Sequence, residues 1–314
     1  KFWRLWQKHR ALHNDYDILL VGFSGHILVP FARLISKKKI IFNTLGALYN
    51  GVIDSRKQYG FLGLRALYCW LVDWLAFHSA NLSFVESNAR KEYIMRRFLV
   101  PEHKLVRIWP GTNAAVFVYN PNIKKLPIFT VLFRGALMPE SGIEYVLRAA
   151  YILRNKPINF KIIGTGFLAP LVTRMLKDLN MNNVEWITER LPWEEMMIKM
   201  QECHVSLSQL SDHKRQNFHL PFKVFDCMAL KIPNLVARVR GVLELFTEDE
   251  NCFCVNPADA QDLARKIMQL KDHPDDLARI TESAYQLFKK SIATEATAQE
   301  LKNILKTYLD LSFS

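Results

Sequence analysis

Short, unbroken apolar runs alternate along the chain with stretches whose apolar residues recur every three or four positions. Runs of the first kind read as buried parallel strands, and those of the second as helices packed over them. In the first third, strands are expected at 18–22, 39–42, 81–85 and 105–109, with helices at 27–36, 60–78 and 88–98 between them. Pro110-Gly111 marks a turn. A stretch at 117–127, carrying Asn120-Pro121-Asn122 and Lys124-Lys125, reads as a linker. The alternation then restarts, with strands at 128–135, 159–164, 184–187, 204–209 and 232–237 and helices at 141–154, 167–179, 193–202 and 221–230. The C-terminal end is helical, most clearly at 259–270 and 294–309.

Strand–helix units in series, joined by right-handed crossovers, give a parallel sheet covered on both faces. Two such series predict an α/β fold of two facing Rossmann-like, doubly wound domains, as suits 314 residues, too many for one such unit. The expected division is 1–120, 121–293, and a last helix at 294–314 packing back toward the first domain. The chain opens without methionine inside a helical pattern, and its first strong strand begins only at Asp17. A preceding segment, carrying part of the first domain, is therefore expected.

Half of the residues are hydrophobic and 23% are charged, the balance of a globular protein with a full core. No apolar run reaches the length of a membrane span. The nearest, Phe61 to Phe77, is interrupted by Arg65 and Asp73. No secretory signal is visible. Five scattered cysteines read as small core residues of a reducing compartment, which points to the cytoplasm. Cys252-Phe-Cys254 puts two thiols on one strand face without a second ligand pair, so no metal site is expected. The net charge of +12 calls for an anionic partner. A nucleic-acid partner would need a clustered basic stripe with stacking aromatics, and no recognised motif for one is present. The aromatic–basic segments 1–10 and 91–97 read as helices suited to peripheral contact with an anionic membrane. Solvated helices with their aromatics turned inward explain them equally well.

In parallel α/β sheets, ligands bind beyond the carboxyl ends of strands. Three such places stand out. The first, Phe133-Arg-Gly-Ala-Leu-Met-Pro-Glu-Ser-Gly142, ends a strand and opens a helix, whose amides and dipole would seat a diphosphate. An ordinary strand–loop–helix turn is the alternative. The second, Gly164-Thr-Gly166, is explained as well by a tight turn, and it lacks the third glycine of a nicotinamide-binding loop. The third is Leu220-Pro-Phe-Lys-Val-Phe-Asp226, where Pro221 opens a helix and Lys223 and Asp226 share its first turns. An aspartate there can accept from two vicinal ribose hydroxyls, and a lysine at a helix start gains nothing from the dipole unless it serves an anion. A surface ion pair between the two is the simpler alternative.

Taken in order, these stretches resemble the C-terminal domain of glycosyltransferase family 4, which has the GT-B fold. Gly135 to Ile143 resembles the family's Gly-Arg-Leu-x-Pro-Glu-Lys-Gly loop, Gly164-Thr-Gly166 its second glycine loop, and Leu220 to Asn234 its Pro-x-Lys-Val-Tyr/Phe-Glu/Asp segment. Glu244 and Asn251 match the approach to the last strand. The resemblance implies transfer of a sugar from a nucleotide-diphosphate-sugar donor to a glycan or lipid-linked glycan, with retention and with no obligatory metal or other cofactor. The donor would be held by Gly135, Glu140, Ser141, Gly142, Gly164, Gly166, Pro221, Lys223 and Asp226. Lys223, His26 and His219 are the candidate catalytic residues. The basic, aromatic N-terminal half, with no spanning helix, suggests a cytoplasmic protein in peripheral contact with the inner face of the membrane.

The sequence also departs from that pattern. Ala136 and Ser141 stand where the loop has Arg and Lys, and Phe218 stands eight positions before Asp226 where an acid is common. Arg134 adjoins the loop but is expected on the opposite strand face, and Gln216, Asn217 and His219 are left to reach the sugar. These departures keep a second reading open: a catalytically inactive GT-B protein that binds and scaffolds another transferase.

Overall fold

A computed structural model describes residues 2–13, 15–54, 63–113 and 115–310. By internal packing the chain forms two units, residues 1–109 with 298–314, and residues 110–297.

The first unit opens with helix α1 (Phe2–Ala11) and alternates β1 (Ile18–Val21), α2 (Leu28–Ile35), β2 (Lys39–Asn43), α3 (Leu64–Ser79), β3 (Leu82–Val85), α4 (Asn88–Phe98) and β4 (Leu105–Arg107). The strands pair in sequence order, all parallel. Ile40 and Phe42 of β2 pack with Val29, Cys69, Phe77, Ile94 and Phe98 in a core formed with α2, α3 and α4. Ile41, Leu82, Phe84 and Val106 belong to a separate cluster. They are covered by Ile304, Leu305 and Leu309 of the last helix, α12 (Thr294–Leu309). An Arg107–Glu300 ion pair of 3.2 Å fixes that helix at its polar edge. The chain end thus returns to a sheet made by its beginning.

The second unit runs β5 (Phe129–Arg134), α5 (Ile143–Ile152), β6 (Ile158–Ile163), α6 (Ala169–Asp178), β7 (Val184–Ile187), α7 (Trp193–Gln201), β8 (Val205–Leu207), α8 (Phe222–Ala229), β9 (Asn234–Ala237), α9 (Arg240–Leu243), β10 (Phe253–Val255), α10 (Ala260–Asp272) and α11 (Pro274–Ser291). Its six parallel strands lie in the order β10-β9-β8-β5-β6-β7. The chain leaves β5 in one direction through β6 and β7, then returns to the other side of β5 with β8. The sheet's topological switch point therefore lies between β5 and β8, where ligands of such sheets bind. Val131, Leu132 and Phe133 of β5 are fully buried, as a central strand requires.

Five helices begin one or two residues later than the periodicity suggests, and α3 begins four residues later. α5 waits until Ile143 because Gly142, at φ +69°, turns left-handed just before it. The helix expected from 60 starts at Leu64, and residues 60–62 of that expectation lie outside the described residues. The short α9 and a π-helical turn at Asn50–Asp54 carry too few residues to leave a periodic signal. Among the described residues, no helix is long and apolar enough to cross a membrane.

Candidate functional site

The glycines after β5 and β6 are fixed by how closely their two loops approach. A Cβ on Gly164, whose φ is +135°, would stand 2.2 Å from the carbonyl oxygen of Gly135. One on Gly166 would stand 2.8 Å from the amide nitrogen of Leu137. Backbone bonds lock the contact: Leu137 N–H donates to Thr165 (3.1 Å), Leu168 N–H to Leu137 (2.8 Å), and the Trp186 indole to the Gly164 carbonyl (2.8 Å). Gly135 itself is at φ +141°, with the Lys223 ammonium 3.5 Å from where its Cβ would be. Only glycine has the shape for these places. The Gly-Thr-Gly pair is thus a packing feature between two loops rather than an isolated turn.

Around Gly135 three ionisable side chains gather. Asp226, in α8, receives Arg134 Nη2 on one carboxylate oxygen and the Thr112 hydroxyl on the other. Arg134 also lies over the Phe117 ring at 5.6 Å, and its Nε–H is buried with no hydrogen-bond partner among the described residues. Lys223 sits over the Phe133 ring at 4.3 Å. Burial, with the charge of Arg134 adding to it, pushes Lys223 down to about 7, while Cys227 acts weakly the other way. Lys223 and Asp226 share a helix face as expected, but Asp226 pairs with Arg134 instead of Lys223. Arg134 was assigned to the opposite face by strand alternation. It is the last residue of β5, and the turn at Gly135 releases its side chain from that rule. Thr112 follows a Pro-Gly turn and carries no local signal at all.

Other expected residues are committed elsewhere. Glu140 and Ser141 are buried. The Glu140 carboxylate pairs with Arg215 at 2.7 Å, and its carbonyl accepts from the Ser211 hydroxyl (3.0 Å) and the Gln216 amide. Ser141 Oγ accepts the Ile143 amide within the α5 start, and Gly142 packs where a Cβ would strike Ser211 N at 2.5 Å. The segment around 210–216 therefore closes over the start of α5, which leaves Gly135 and the exposed Ala136 as the open part of that loop. The same bond withdraws Gln216 from any sugar. Pro221 is buried as the N-cap of α8. His219 is half-buried, beside α9, where a Cβ on Gly241 would lie 3.1 Å from its amide nitrogen.

His26 belongs to the first unit and is buried. Its Nε2–H donates to the Gly46 carbonyl at 3.1 Å, its ring stands edge-on to Phe42, and Asp73 lies 3.6 Å away. Burial lowers its pKa, so it serves as a neutral donor to the 44–46 turn rather than as an open acid–base group. Thr44 braces the same turn through its own bonds to Gly46. Of the aromatic–basic segment 91–97, Tyr93 turns inward to Asp54 (2.9 Å) and Phe98, the plainer of its two readings.

Two parallel-sheet α/β units, one with a glycine-loop site at its switch point, are the architecture of the GT-B fold. Residues 120–287 match the family described as glycosyl transferases group 1, and the chain belongs to that family. Its structure is similar to HepE from Anabaena in complex with UDP (TM-score 0.77, 15% identity, 97% of this chain and 82% of that one). It is also similar to sucrose-phosphate synthase from Thermosynechococcus elongatus (0.80, 15%, 99% and 79%) and a glycosyltransferase from Rickettsia africae (0.66, 15%, 95% and 100%). No curated protein matches the sequence significantly.

The clasp is directly testable. Gly164→Ala forces apart two bonded loops and holds a non-glycine residue at φ +135°, a strain of about 1–3 kcal/mol before any steric cost. Its denaturation midpoint should fall well below that of Gly22→Ala, whose Cβ meets nothing within 4 Å.

Proposed function

We propose that the chain moves a sugar from a nucleotide-diphosphate-sugar donor to a glycan or lipid-linked glycan. Retention at the anomeric carbon is the outcome that the resemblance to family 4 implies. The observation that carries the reading is the cluster of Arg134, Lys223 and Asp226 at Gly135, just past the end of the switch-point strand β5. Breaking the bond between the sugar and the diphosphate leaves negative charge on the phosphate, and cations already in position stabilise it without reorganising at the moment of reaction. Arg134 and Lys223 supply that charge in place of the residues replaced by Ala136 and Ser141, and no metal ion is part of the proposal. Asp226 takes the ribose hydroxyls. Since both its oxygens are engaged by Arg134 and Thr112, donor binding is an exchange: ribose takes the carboxylate and Arg134 turns to phosphate. UDP is the first nucleotide to try, because HepE, which shares the fold, is known in complex with UDP and with UDP-glucose.

Calorimetry with UDP and uridine separates the roles. Asp226→Asn should weaken both ligands. Arg134→Gln should weaken UDP by about 10- to 100-fold, the worth of a hydrogen bond to a charged group, and leave uridine as tight or tighter. Failure of UDP, GDP and ADP alike to bind the wild type, or unchanged binding by both variants, overturns the reading. Binding without any turnover of UDP-sugars would favour the scaffold alternative, for which the replaced loop cations speak.

Lys223 gives a pH signature. Its ammonium binds phosphate and is lost above about 7, so affinity for UDP-glucose, whose diphosphate does not titrate there, should fall as pH rises through that value. Lys223→Met should bind weakly and without the slope. Stability runs the other way. Between the folded value near 7 and the ordinary 10.5, the unfolded chain binds more protons, so the lysine makes the apo-protein more stable as pH rises.

A further inference from the structure

α3 is hydrophobic around its whole circumference, a composition ordinarily found in helices buried on all sides. Here one side only is buried, through Ala66, Cys69, Ala76 and Phe77. The outer side carries Leu64, Leu67, Tyr68, Leu71 and Leu75, all exposed and all within one narrow stripe, at positions i, i+3, i+4, i+7 and i+11. Leu64 keeps 89% of its surface in solvent. The neighbouring α2, tied to the end of α3 by Arg33 Nε–H donating to the Ser79 carbonyl (3.1 Å), shows the same habit: Ile27 just before it is exposed and Leu34 keeps 84% of its surface. α1 continues the surface, with Phe2 against Phe31 of α2 at 4.9 Å and with Trp3 and Leu5 exposed.

Charge decides what such a surface faces. Residues 1–72 hold eleven lysines and arginines but three acids, Asp15, Asp17 and Asp54, and Asp54 is taken up by Asn50 and Tyr93. Lys37, Lys39 and Arg65 are exposed beside the apolar stripes, as are Arg4, Lys8 and Arg10 on α1. A second copy of the chain meeting this face would bring like charges together. Leucine stripes on convex helices, rimmed by cations, fit acyl chains beneath phosphate headgroups. We propose that the outer faces of α1, α2 and α3 form a membrane-binding surface for anionic lipid. The surface keeps the segment 1–10 that the sequence suggested but not 91–97, whose tyrosine turns inward. The inference is independent of the donor reading and bears on where an acceptor would be met.

The test is sedimentation of the full chain with vesicles of phosphatidylcholine alone or of equal parts phosphatidylcholine and phosphatidylglycerol. A triple variant (Leu67→Ser, Leu71→Ser, Leu75→Ser) is compared with Leu99→Ser, an exposed leucine outside the stripes. The wild type and Leu99→Ser should pellet with the anionic vesicles, and strong salt should release them. Partitioning should fall at least about tenfold for the triple variant or for neutral vesicles, since apolar insertion and headgroup attraction act together. Circular dichroism and the thermal midpoint of the variants should match the wild type. Wild type left in the supernatant, equal pelleting with both vesicle types, or a triple variant that binds like the wild type overturns the proposal. So does concentration-dependent self-association that the triple variant abolishes, which would make the face a contact between copies.

Discussion

The second unit depends on two backbones meeting where no side chain fits. The Gly135 carbonyl occupies the place a Cβ of Gly164 would need, and Gly166 meets Leu137 in the same way. That approach joins the loops after β5 and β6 on one side of the switch point. On the other side, the 210–216 segment closes over the start of α5 through the bonds to Glu140. What remains open is the short stretch at Gly135 and Ala136, with the start of α8 beside it. There Lys223 lies over Phe133 and Arg134 pairs with Asp226.

The electrostatics then follow from burial. A lysine half-withdrawn from water beside an arginine loses much of its hold on its proton, and a carboxylate so placed needs partners on both oxygens. Removing one partner of a buried pair strands the other, at a cost of about 3–5 kcal/mol, so Arg134 and Asp226 support each other when nothing is bound. In this account the positive charge the site needs has moved from the loop to the end of the strand below it. The Nε–H of Arg134, unpartnered among the described residues, is consistent with a group held ready for another acceptor.

Much of the architecture was legible in the sequence because parallel strands and their covering helices obey simple periods. Runs such as 128–135 and 159–164, short, apolar and ended by glycine, suit a buried parallel strand. The return of α12 was legible as well, since a chain end so regular in its apolar spacing needs a surface to cover. The site was less legible, for a physical reason. Residue spacing tells which side chains share a face, and it placed Lys223 and Asp226 correctly on one. It cannot tell where a chain bends back, so Arg134, Thr112 and the burial of Ser141 were beyond it. His26 illustrates the other limit: a histidine after a strand looks alike in sequence whether its ring faces solvent or the Gly46 carbonyl.

Amide hydrogen exchange with and without UDP tests the central claim most directly, that the Gly135 and Gly164 loops and the start of α8 form one nucleotide diphosphate site. The account predicts slower exchange at 135–137, 164–166 and 222–226 when UDP is bound, with the first unit's strands unchanged. Protection confined to other segments, or no change at saturating UDP, would contradict it.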